Sequence, residues 1–442
     1  MLQMSNPLAE APSDGSETLR GPPGGRSHSP IVGKITALIA KSGKRAFWPL
    51  ADQGVVSLGN LLTLFIVARG LQRSDFGTFN LIIEALFFFV SIHAGLITYP
   101  LTVVGAVADA DNLRRKTSAA LALTLLLALP VAVASIAVAS YFQMLAVGIV
   151  AITSLLAWQL QEVVRRALLS HFRYAEAIWG DGVNYLGQAV ILVVLGYLGR
   201  LTLLSALAAI GFTSVLALVI QAAQVGLAKL ERGELSAVAK DFWIRGRWIA
   251  LTNSSGISLM LCGNWALGLS HGREEVADFA AIAALLKIVN PVLQTIGNLI
   301  VPAAAKAFDR GGIAAARLIS AKITALAGLL VAPVFLILWI APNWCLRLAY
   351  RGKYSGHHFP IALRFVVLGY VLIYLNTAVT SFLNGVHRTR YTFYGQLAGS
   401  ISMFAVLLPL NIAFGWLGYA AGGVMPVLIQ LGVLLWFTRK VR

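Results

Sequence analysis

Apolar residues recur along this chain in blocks of about 20, the length a helix rising ~1.5 Å per residue needs to cross a hydrocarbon core. Twelve blocks can be laid out. Their approximate limits are 47–69, 80–104, 118–141, 143–164, 177–198 and 203–227, then 250–269, 279–304, 319–341, 361–385, 391–413 and 415–437. The links around Phe142, Arg200 and Phe414 are very short. The pattern predicts an all-α polytopic membrane protein with about 12 transmembrane helices.

The chain opens differently. Residues 1–30 are polar and rich in Gly, Pro and Ser, without the apolar core of a signal peptide, and are expected to be disordered and cytoplasmic. From Ile31 to Phe47, Ile31, Ile35, Leu38 and Ile39 alternate at helical spacing with Lys34, Lys41, Lys44 and Arg45. That pattern suits a basic amphipathic helix lying on an anionic membrane surface. The expected organisation is a tail with this surface helix (1–46), a six-helix lobe (47–227), a cytoplasmic linker (228–249) and a second six-helix lobe (250–442).

The two halves resemble each other. Asp75-Phe76-Gly77 before the second block matches Asp278-Phe279-Ala280 before the eighth, and Gly59-Asn60 matches Gly263-Asn264. Gly95 with Pro100 matches Gly297 with Pro302, and Pro130 matches Pro333, all at offsets of about 203 residues. Six is an even number of crossings, so both halves enter from the same side, related by an axis along the membrane normal. A substrate path is expected between them.

Composition agrees with this reading: 58% hydrophobic and 12% charged residues, with a mean hydropathy of +0.78. A net charge of +17 raises the possibility of nucleic-acid binding, but the basic residues cluster at membrane edges. With the N-terminus inside, 26 of the 35 Lys and Arg fall on the cytoplasmic side and 8 outside, with Lys287 alone between. Both termini are therefore expected to be cytoplasmic, and no nucleic-acid partner is expected. Cys262 and Cys345 offer neither a disulfide framework nor a metal spacing, and no metal or cofactor is expected.

Lys287 lies about eight residues into an apolar span, roughly 12 Å from the helix end. An ammonium there costs about 2.5–3.5 kcal/mol to insert, so it is expected to face a bundle interior or a water-filled cavity, which reads as a transporter. Its counterpart at the 203-residue offset is Glu84. Opposite charges at one depth on related helices are expected either to alternate between each other and a substrate or proton, or to stand as a static pair or a snorkelling group. Gln53, Ser57 and Asn60 share one face of the first span, with Asp52 beside them, and either line a cavity or hydrogen-bond between helices. Asn264 and Asn290 invite the same two readings, since an amide suits sugar hydroxyls through its donors and acceptors. His93, near mid-span, is either a proton relay or a hydrogen-bonded core residue. Arg165, Arg166 and Arg173 near the inner mouth either gather anionic headgroups or only mark topology.

The junction Arg69-Gly70-Leu71-Gln72-Arg73-Ser74-Asp75-Phe76-Gly77-Thr78-Phe79 resembles bacterial Wzx-type polysaccharide flippases of the multidrug/oligosaccharidyl-lipid/polysaccharide exporter superfamily. So do Ala51-Asp52-Gln53-Gly54, the eighth span ending at Pro302, and Arg351-Gly352-Lys353-Tyr354, the resemblance covering residues 45–442. It implies a MATE-like V of two lobes in a bacterial cytoplasmic membrane. It further implies translocation of polyprenyl-pyrophosphate-linked oligosaccharide for polysaccharide biosynthesis by alternating access, alongside membrane lipids and a polymerase and export machinery. This sequence departs from more cationic relatives in holding a single deep basic residue. No G-x-x-x-x-G-K-[ST] phosphate loop is present, so an ATP-driven enzyme is not expected. A cation-coupled multidrug exporter on the same fold is the alternative, although it would want an acidic cavity. A membrane glycosyltransferase would want carboxylates near a large outer loop, and 342–360 has none.

Overall fold

The computed structural model describes residues 30–231 and 233–440, so the tail expected to be disordered lies largely outside the described residues. The chain runs through α1 (Pro30–Gly70), α2 (Arg73–Gly105), α3 (Ala110–Tyr141), α4 (Leu145–Ser170), α5 (Tyr174–Tyr197), α6 (Leu203–Val225) and α7 (Glu234–His271). There follow α8 (273–310), α9 (313–340), the short α10 (Pro342–Tyr350), α11 (His358–Gly385), α12 (389–414) and α13 (416–440). Residues 30–47, expected as a surface helix, are helical and form a small unit of their own; the larger unit starts at Trp48. The chain is an all-α polytopic membrane protein.

Among the described residues nine helical runs are long and apolar enough to span a bilayer. One of them, Arg273–Ile340, reverses at Gly311 and Gly312 and supplies two crossings, α8 and α9. α13 completes another reversal at Gly415, where Tyr391 stacks on Phe437 at 4.4 Å and Gly399 meets Gln430 across two antiparallel helices. With α7, whose polar residues dilute its hydropathy, the described residues provide twelve helices of crossing length, in line with the expected number. Each of the very short links turns on one left-handed residue: Gln143 (φ 57°), Gly199 (φ 66°) and Gly415 (φ 60°). The two glycines take that conformation without the steric penalty of a Cβ. The stretch 228–249, expected as a linker, is helical from Glu234 onward, as the first turns of α7.

The halves share irregularities as well as order. The fifth crossing of each half carries a π-helical turn, Gly182–Leu186 in α5 and Met403–Leu407 in α12. The second crossing of each is also interrupted, by a π turn at Ala94–Thr98 in α2 and a 3₁₀ turn at Lys287–Val289 in α8. Such turns in mid-helix mark hinges or functional positions, because they free backbone groups from the regular ladder.

The halves are sealed together at the end that carries α10. Asp278 accepts two bonds from Arg73, one of them 3.0 Å from Nε. Tyr350 Oη donates to the Ala281 carbonyl at 2.7 Å, and Arg69 donates to the carbonyls of Leu348, at 2.6 Å, and Ala349. Lys353 donates to the carbonyls of Ala68 (2.9 Å) and Leu71, satisfying groups that the end of α1 leaves open. Burial and neighbouring Arg73 pull the Lys353 ammonium below the ordinary lysine range. Phe76, Tyr350 and Tyr354 pack edge to face beneath this layer. Toward the opposite end, α8 packs on α11, where Gly385 meets Ala304, while α7 stays against α2 through Gly95 and Ala250.

Removing either partner of the Arg73–Asp278 pair is expected to loosen this seal. Hydrogen bonds to charged groups contribute about 1.5–3 kcal/mol, less where one partner is partly exposed as Arg73 is. Spin labels at positions 75 and 274 in Asp278→Asn should show a longer-distance population several-fold larger than in the wild type; an unchanged distribution would mean that the pair does not latch this end.

Candidate functional site

The sequence-predicted polar residues divide among separate places in the fold. Glu84, Asn264 and Lys287 come together between the halves. Asn264 of α7 donates from Nδ2 to Glu84 Oε1 of α2 at 2.6 Å. Lys287 of α8 is the charged group that acts electrostatically on Glu84, yet among the described residues no ion pair joins them. The direct Lys287–Glu84 pair that the repeat suggested is therefore replaced in this conformation by a carboxylate–amide bond. Lys287 is exposed although it lies deep along α8, and it opens the 3₁₀ turn that precedes Asn290 and Pro291. Asn290 is half-buried one turn below.

The floor of this region comes from α12 and α13. Asn411 Nδ2 donates to the Gly263 carbonyl at 2.7 Å, next to Asn264. Residue 263 must be glycine for Tyr419 to approach: a Cβ there would lie 2.7 Å from the Tyr419 hydroxyl. Phe279 lies against Tyr419 at 4.2 Å between ring centroids. The α13 helix that carries Tyr419 is anchored at its start, where Glu275 accepts from the Trp416 backbone N–H at 2.9 Å, a carboxylate at a helix N-terminus. Glu84 Oε2, Asn264 Oδ1 and Asn411 Oδ1 are buried acceptors without a protein donor. The arrangement thus gathers one lysine and, among the described residues, three acceptor oxygens that are closed off and undonated in this conformation, groups whose chemistry matches negative charge and hydroxyl donors.

Asp52, Arg165 and Arg166, the last two assigned to the inner mouth, belong to a different cluster inside the first half. Arg165 is buried and holds three carboxylates: Asp181 Oδ2 at 2.6 Å from Nε, Asp52 Oδ2 at 2.8 Å from Nη2, and Glu162 Oε2 at 3.4 Å from Nη1. Arg166 pairs with the same Glu162. Gln161, Asn184 and Gln221 extend the network: Gln161 donates to Gln221 Oε1 at 2.9 Å and Gln221 to Asp181 Oδ1 at 3.1 Å. Arg165 therefore does not line an open mouth. Arg173 is engaged by Glu176 and by the Gln224 carbonyl at 2.8 Å.

Asp181, Glu162 and Gln161 were not singled out in the sequence. The signal available was the Glu162/Arg165/Arg166 spacing of three and four residues, which on a helix makes ion pairs, and an aspartate inside an apolar span. His93 is buried between α2 and α3. His93 Nε2 and the Thr124 hydroxyl share a hydrogen bond of 3.0 Å, and the same hydroxyl lies 2.8 Å from the Ala120 carbonyl, so His93 is a packed, hydrogen-bonded histidine. Gln53 and Asn60 are exposed on α1, with Gln53 Nε2 3.3 Å from Ser57 Oγ, while Asp52 and Gly59 turn toward the first half's interior and Leu58 and Leu62 lie exposed on another face.

No family model and no curated protein matches this chain. Solved structures do match. An inward-facing multidrug resistance MATE family transporter of the MOP superfamily aligns over 87% of this chain and 94% of its own at 13% identity, with a TM-score of 0.71. An outward-facing structure of such a transporter aligns over 88% and 93% at 15% identity, with a TM-score of 0.62. A MOP superfamily transporter from Pyrococcus furiosus, described as having a binding pocket of reverse polarity that suggests a different function, aligns over 88% and 93% at 14% identity, with a TM-score of 0.55. The fold of this chain is therefore that of the MATE transporters.

Proposed function

We propose that this protein is a transporter that moves a polyprenyl-pyrophosphate-linked oligosaccharide across the cytoplasmic membrane by alternating access, for polysaccharide biosynthesis. The observation that carries the reading is Lys287: a lysine deep along the spanning helix α8, at a break in its regular turns, with the nearby carboxylate of Glu84 already bound by Asn264. A cation so placed suits a pyrophosphate or an acidic sugar, and the amides of Asn264 and Asn290 suit sugar hydroxyls. In this reading the positive-inside pattern puts both termini in the cytoplasm and the sealed α10 end outside. Two of the solved structures with this fold show inward- and outward-facing states, and the Pyrococcus furiosus protein is described as differing in pocket polarity, so pocket charge is a sensible discriminator of substrate.

The membrane potential is a candidate driving force. Moving one charge across 100 mV is worth about 2.3 kcal/mol, and an inside-negative potential favours outward passage of a head carrying roughly two negative charges. Glu84 supports a second reading, a cation-coupled multidrug exporter, because a carboxylate between the halves can hold an organic cation or a proton.

An outer-face glycan probe should separate the two. Cells lacking the protein should lose outer-face label from lipid-linked repeat units and accumulate them inside. Unchanged label together with reduced cationic-dye efflux would favour the exporter.

A further inference from the structure

Two apolar grooves open on the seams between the halves, both toward the α10 end. The first, about 470 Å³, runs between α1 and α8–α10 and is walled by Leu62, Ile66, Leu285, Ile288 and Ile337. The second, about 580 Å³, runs between α7 and α2–α4 and is walled by Trp265, Leu269, Ile82, Ala85 and Ala134. Both fall within the size range of ligand pockets. They are copies of each other: at the 203-residue offset Leu62 becomes Trp265, Ile66 becomes Leu269 and Ile82 becomes Leu285. Each groove contains one charged residue, an exposed arginine: Arg69 in the first and, in the second, Arg273, one position past the offset counterpart Gly272.

Neither arginine has an anionic partner among the described residues. Arg69 donates to the carbonyls of Leu348 and Ala349, and Arg273 to Thr78 Oγ1 at 3.4 Å, so both remain cations with neutral neighbours. A long apolar trough with one uncompensated guanidinium at its mouth is complementary to an amphiphile with a hydrocarbon tail and an anionic head.

We propose that each groove is a phospholipid site, taking an acyl chain of an anionic phospholipid of the α10-side leaflet with its phosphate on Arg69 or Arg273. Each groove has walls from both halves, so parting the halves at the α10 end would pull its walls apart. Lipid bound there favours the sealed conformation, because a ligand shifts an equilibrium by its differential affinity for the two states. The inference requires only the membrane fold and stands apart from the substrate proposed above.

Native mass spectrometry of the intact protein, carrying either phosphatidylglycerol or phosphatidylcholine, tests it. Two tightly held phosphatidylglycerols are expected, one fewer in Arg69→Gln, one fewer in Arg273→Gln, none in the double variant, and recovery in the Arg→Lys forms. Unchanged copy number in both single variants, or equal retention of phosphatidylcholine, would overturn the proposal. The wild-type protein gives a test free of folding defects. Phosphatidylglycerol with a photoreactive acyl chain should label the segments holding Trp344 and Leu269, which lie in the two grooves. Labelling elsewhere alone, or labelling abolished by equimolar polyprenyl phosphate, would instead leave the grooves without a phospholipid role or assign them to a substrate tail.

Discussion

Arg165→Ala should lower the stability of the folded protein by about 3–5 kcal/mol, the cost of removing one partner from a buried charge network. Its guanidinium is the shared donor of Asp52, Asp181 and Glu162, contributed by α1, α5 and α4. Without it, buried Asp52 and Asp181 lose their cation, and Asp52 Oδ1 already lacks a donor. Arg165→Lys should recover only part of the loss, because an ammonium lacks the rigid fork that reaches three carboxylates in different directions. Thermal unfolding in detergent, followed by near-UV signals, checks this. A midpoint within experimental error of the wild type would mean that the network contributes little and that the first half is held by apolar packing alone.

The second large effect is on transport. Lys287→Ala should reduce outer-face delivery of substrate at least about tenfold, equivalent to roughly 1.4 kcal/mol in the rate-limiting step, while leaving the fold intact. Insertion of the helix should become easier, since the deep ammonium is a cost of about 2.5–3.5 kcal/mol to the apolar span. Retained stability with lost transport distinguishes a substrate contact from a structural residue. Lys287→Arg should keep part of the activity, as it keeps the charge. The exchange of Glu84→Lys with Lys287→Glu asks whether the two are coupled. Normal transport by both singles and the double variant would remove both residues from the mechanism.

Much of the architecture can be read along the chain. Twelve crossings, their order and the duplication follow from the length of apolar runs and from residues repeated at one offset, because crossing a bilayer is a requirement each segment meets by itself. The depth of Lys287 follows in the same way, by counting residues from a helix end. The grooves are faintly legible too, since the apolar residues that wall them repeat at the same offset, Leu62 with Trp265 and Ile66 with Leu269.

What a polar residue in a span does is settled elsewhere, by which helices are neighbours and how each is rotated. Asp52 sits beside Gln53 in the chain, yet one is buried on Arg165 and the other is exposed. Asn264 takes Glu84 as its partner across 180 residues, leaving Lys287 without the ion pair that symmetry suggested. Length and hydropathy are properties of one helix, whereas hydrogen-bond and charge partners in a low-dielectric interior are chosen between helices. The sequence therefore determined where the apolar crossings of this protein fall, and the tertiary structure alone decided which of the polar groups within them are paired.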